Sequence, residues 1–185
     1  MKTRKTLILV IFLLSACGIR DAEITPSASP ETNGRLHFPF ITDISRYSEV
    51  LSSEDDGSPP IAHFPKEIPV EAGNVKFAYQ PRIMQGAMFL ELLMTLPESQ
   101  INELWDKYGD LEQYQYSEEK DLTDIPEPIL YLISDENNGY DQNFSIFLIS
   151  AEPAGKADFI WNHGTMYGVG IDKTSFQVIY WLQYW

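Results

Sequence analysis

The last ten residues of the chain, Phe176 to Trp185, alternate between two kinds of side chain, and this alternation constrains the fold more than any other stretch. Successive side chains of a strand point to opposite faces, so a period of two sorts them into Phe176, Val178, Tyr180, Leu182 and Tyr184 on one side. Gln177, Ile179, Trp181, Gln183 and Trp185 fall on the other. The first face has the composition of a core. The second mixes Gln with Trp, and two arrangements fit it. Either Trp181 and Trp185 form a ligand or partner surface that stacks on sugars or docks a protein, or a helix or the 37–51 leader covers this face. His163 to Ile171, joined to the terminal run by Asp172 to Ser175, completes a predicted hairpin.

The same period recurs upstream. Val75, Phe77 and Tyr79 alternate with polar or small neighbours until Pro81 stops the run, and Met88, Leu90, Leu92, Met94 and Leu96 share one face of a second candidate strand. Pro97 then suits the first turn of a helix, and Glu98 suits its positive end. Ile101, Leu104, Trp105 and Tyr108 fall at i, i+3, i+4 and i+7, with Gly109 as the stop. Two further apolar runs, Ile129 to Ile133 and Phe144 to Ile149, flank a polar loop containing Asn138-Gly139, which predicts another hairpin. Ile44 to Leu51 suits a short helix. The expected fold is α+β: an antiparallel sheet of about five to six strands with one main helix (about 97–108) packed on one face.

The N-terminus carries a different message. Lys2, Arg4 and Lys5 precede the apolar run Leu7 to Leu14, which ends in the small residues Ser15 and Ala16. That order of charge, apolar run and small side chains is a secretory signal. Leu7 to Ala16 is ten residues, about half of the roughly 20 that a helix needs to cross a bilayer core. The quartet Leu14-Ser15-Ala16-Cys17 closely resembles the bacterial lipobox. The resemblance, confined to residues 1–17, implies cleavage before Cys17 and lipid attachment to its sulfur and to the new amine. Residues 1–16 are then a signal peptide, 17–36 a lipidated Cys17 with a flexible tether rich in Pro, Ser and Thr, and 37–185 a single domain. The expected location is the extracytoplasmic face of the cell membrane or outer membrane.

Cys17 is the sole cysteine, so no intrachain disulfide is possible. The chain has a net charge of −14; without Lys2, Arg4 and Lys5, 10 basic residues face 27 acidic ones, giving −17. Such a surface repels nucleic-acid phosphates and anionic lipid headgroups, so the expected partners are the membrane, reached through the Cys17 lipid, and an envelope protein or neutral ligand.

No motif points to a cofactor. Asp135, Asn137 and Asp141 offer hard oxygen atoms that calcium accepts, but with Gly139 in the sixth position of a calcium loop the first and twelfth are Ser134 and Ser145. A plain hairpin turn explains the segment better. His37, His63 and His163 are too far apart in sequence to form a metal motif. There is no Gly-x-Ser-x-Gly elbow. Gly164, Gly168 and Gly170 lie where Val169 and Ile171 continue a strand, so they mark a bulge or a place where a side chain lies flat on the backbone rather than a phosphate loop. The reading is a non-enzymatic binding module near Trp181; the alternative is an envelope hydrolase acting on wall or sugar material through a carboxylate pair.

Overall fold

The computed structural model describes residues 40–54, 61–82, 87–114, 125–134, 141, 143–156 and 160–185. In order, these form a 3-10 turn (Ile44–Arg46) leading into helix α1 (Tyr47–Glu54), strands β1 (Gly73–Gln80) and β2 (Met88–Thr95), and helix α2 (Glu98–Tyr108). A 3-10 turn (Tyr131–Ile133), strand β3 (Ser145–Pro153), a 3-10 turn (Ile160–Asn162), and strands β4 (Gly164–Asp172) and β5 (Gln177–Tyr184) follow. The strands build one antiparallel sheet in the order β1-β2-β5-β4-β3. It is an α+β arrangement dominated by the sheet. His37–Trp185 makes one compact unit.

The terminal strand takes the centre of the sheet because both of its faces are apolar enough to be buried. Val178, Tyr180 and Leu182 point to the first face with Phe77, Leu90, Leu92 and Met94. Tyr47, Val50 and Leu51 of α1 and Ile101 and Tyr108 of α2 close over them. Each large side chain removed from water here contributes about 1.5–3 kcal/mol. In α2, Ile101 and Tyr108 are buried and Leu104 and Trp105 pack beside them, as the helical spacing predicts. Gly109 follows in right-handed rather than left-handed geometry; its N–H donates to the Trp105 carbonyl at 2.7 Å.

Phe176 does not extend the core face of β5. It sits in the β4–β5 turn with φ +54° and is 37% exposed. Asp172 organises that turn, accepting from the Thr174 and Ser175 N–H groups and the Ser175 hydroxyl.

One expected strand is absent from the sheet. Ile129 to Ile133 is not the first limb of a hairpin with Phe144 to Ile149. Residues 125–130 have no regular structure, Tyr131–Ile133 is a 3-10 turn, and β3 pairs with β4 instead. The cause lies in the second face. Among the described residues no helix is long and apolar enough to cross a membrane.

Candidate functional site

The second face of the sheet is covered by the strap formed by residues 125–134. Its apolar interior combines Leu93, Ile146, Leu148, Met166, Ile179 and Trp181 with Leu130 and Ile133 from the strap and Tyr114 and Phe144 from the loops. Ile129 and Tyr131 flank the buried Leu130 and are themselves 55% and 43% exposed. The strap therefore has an inner and an outer side.

Polar side chains of the sheet hold it down. Glu91, on β2, is 1% exposed; its Oε1 accepts from the Tyr131 N–H and its Oε2 from the Leu132 N–H, both at 2.8 Å. The two donors belong to the first residues of the 3-10 turn, whose N–H groups have no partner within the turn itself. Gln183 on β5, also buried, accepts from the Ile129 N–H at 2.9 Å. These bonds engage backbone donors that a strand would use in a ladder, which is why Ile129 to Ile133 lies across the sheet rather than within it. Burial pushes the Glu91 carboxyl up to about 7, against the opposing pull of the Leu132 and Tyr131 N–H groups.

Glu91 lies in register with Trp181, and Trp181 with Gly168 on β4. A Cβ added to Gly168 would stand 2.0 Å from the Phe147 carbonyl oxygen and 3.0 Å from the Trp181 ring. The absent side chain lets the indole lie against the β4 backbone, where the register of β3 also shifts, between Leu148 and Ser150. Trp181 is 1% exposed, and its Nε1–H finds no hydrogen-bond partner among the described residues. The cover is the strap, neither a helix nor the leader. A partner-contacting role for Trp181 therefore requires the strap to move. Trp185 is placed differently: it is partly exposed, stacks on Trp161 with centroids 5.8 Å apart, and donates from Nε1 to the Trp161 carbonyl.

A partly exposed aromatic surface of this face lies beside Phe89. Phe40 packs against Phe89 and Tyr131 at centroid distances of 5.0 and 4.9 Å, and Phe89 stacks on Tyr131 at 6.4 Å. Neither Phe40 nor Tyr131 stood out in the sequence. Their neighbourhood depends on the strap crossing the sheet, and no local pattern encodes that crossing.

The other sequence candidates are dispersed. Cys17, Asp135 and Asn137 lie outside the described residues. Asp141 accepts from the backbone and side-chain N–H groups of Asn143, a local turn. His37 also lies outside the described residues, and His63 sits among the rings of Phe64, Tyr167 and Tyr180. Among the described residues no three His, Cys, Asp or Glu side chains gather as metal ligands. On the first face, an open pocket of about 250 Å³ is lined by Ser48, Leu51, Ser52, Ile61, Ala62, Phe64 and Lys66, and none of these lining residues is a carboxylate. Comparison with protein-family models, curated proteins and solved structures gives no match.

Proposed function

We propose that the chain is a lipid-anchored protein of the cell envelope whose folded domain is a non-enzymatic interaction module. The anchor is read from the basic start, the apolar run and Leu14-Ser15-Ala16-Cys17. The observation that supports the module is the state of Glu91: this buried carboxylate has both oxygens engaged in holding the protein's own strap. On the outer side Ile129 and Tyr131 are exposed, and Phe40, Phe89 and Trp185 are partly exposed on the same face. Large amphipathic rings with few charges suit an apolar or neutral counterpart better than an ionic one.

Two measurements test the reading. Cys17→Ser in the full chain should abolish incorporation of labelled palmitate and leave an unprocessed precursor; normal maturation of that variant would refute the anchor. Tyr131→Ala and Trp185→Ala, compared with the exposed control Val70→Ala, should reduce cross-linking of the anchored protein to its surroundings. Equal cross-linking in all three variants would remove the aromatic surface from the proposal.

A further inference from the structure

Phe40 belongs to the partly exposed aromatic patch. Phe40 is the first described residue, and its ring is packed between Phe89 and Tyr131. The next residue is pinned: the Ile41 N–H donates to the Tyr79 carbonyl at 2.8 Å, and the Tyr79 N–H donates to the Ile41 carbonyl at 2.9 Å. Ile41 is therefore fixed at the outer edge of β1, beside the patch. Cys17 and Phe40 are 23 residues apart, a length whose root-mean-square span as a coil is on the order of 25 Å, so a lipid on Cys17 would hold this surface near the bilayer. At such a high effective concentration even weak apolar contacts are populated.

Composition at this end of the sheet fits that neighbour. The strap, residues 125–134, has Glu127 as its one charged residue, and the connection from Pro81 to Ala87 carries Arg82 and no acid. The Arg82 guanidinium lies 4.0 Å from the Tyr184 ring centroid. The chain as a whole is strongly acidic, and Asp124, Asp135 and Glu136 adjoin the strap in sequence, so the bilayer surface that suits this patch is a neutral one. Tyr, with an apolar body and a polar tip, settles at a membrane–water interface, and Phe adds apolar surface beside it.

We propose that Phe40, Phe89, Ile129 and Tyr131 form a membrane-resting face that lays the domain on the neutral surface of the bilayer holding the Cys17 lipids. The inference rests on the anchoring reading above and names the partner of its aromatic surface. The β1 start, near the 97% exposed Val70, lies outside the patch, about 23 Å from the other end of β1 along seven residue steps.

The test uses the full chain, processed in cells and reconstituted into phosphatidylcholine vesicles, with mass spectrometry reporting whether Cys17 carries lipid. Nitroxide labels are placed at Ile129→Cys, at Tyr131→Cys as a second reporter, and at Val70→Cys. The labels at 129 and 131 should be accessible to oxygen and shielded from a water-soluble nickel relaxant, while the label at 70 stays water-like. If all three are water-like on a protein whose Cys17 is lipidated, the resting face is overturned and the anchor stands. An unlipidated Cys17 overturns the anchor, and the resting face falls with it. Shielding at 129 that persists in detergent, without gain of oxygen accessibility, assigns the patch to a protein partner and also overturns the proposal.

Discussion

Glu91 gives the sharpest quantitative prediction. Its carboxyl is wholly enclosed between β2, Trp181 and the strap, and among the described residues no cation pairs with it. Burial disfavours the charge more than the two N–H groups favour it, so the carboxyl rises from an ordinary 4.5 to about 7. Each tenfold change in proton affinity is worth about 1.4 kcal/mol, so this displacement is worth about 3 kcal/mol. The folded protein binds the proton more tightly than the unfolded chain. The stabilisation is therefore complete below about pH 4.5 and is lost as pH rises through about 7. Glu91→Gln removes the titration: its carbonyl oxygen accepts one strap N–H, while its amide N–H₂ faces the other. Urea unfolding of both proteins from pH 4 to 8 cancels the groups they share. The stability of the wild type relative to Glu91→Gln should fall by about 3 kcal/mol across this window. A difference independent of pH would show that Glu91 titrates alike in both states. A difference that grows with pH would mean that the two N–H bonds outweigh burial, and either result refutes the argument.

Other expectations concern the sheet beneath the strap. Gly168→Ala should cost about 3 kcal/mol or more, because the new Cβ meets a carbonyl oxygen of the neighbouring strand, whereas Gly73→Ala, with open space around it, should change stability by less than about 1 kcal/mol; denaturant midpoints compare them. Trp181→Ala should cost about 3–5 kcal/mol by leaving a cavity, but Trp181→Phe should stay within about 1 kcal/mol, since losing part of the ring is offset by removing a buried N–H that makes no hydrogen bond. A Trp181→Phe cost as large as that of the alanine variant would show that the indole N–H has a partner. Asp172→Ala should cost about 1–2 kcal/mol through loss of its three turn bonds, measured by the same unfolding.

Much of the fold was legible because its determinants are local. The period of two in Met88 to Leu96 and Phe176 to Trp185 and the 3.6 period through Ile101, Leu104, Trp105 and Tyr108 each reflect the geometry of one element, which sorts its side chains by face. The β4–β5 hairpin follows from two such runs joined by a short polar turn. The glycines of β4 were also readable as places where a side chain lies on the backbone, and at Gly168 that side chain belongs to Trp181. Ile129 to Ile133 was misleading for a physical reason. Its apolar residues suit a strand as well as a strap, and its assignment depends on Glu91 and Gln183, dozens of residues away, accepting its backbone N–H groups.

The same distinction separates address from surface. The proposed address rests on the charge order, the short apolar run and Leu14-Ser15-Ala16-Cys17, contiguous residues that the sequence alone displays. Which aromatic side chains face outward is not displayed there. Trp181 and Tyr131 are both large rings in apolar surroundings, and only the crossing of the strap over the sheet buries the first and exposes the second. Exposure belongs to the packed assembly of distant segments, so the tertiary structure alone decided it.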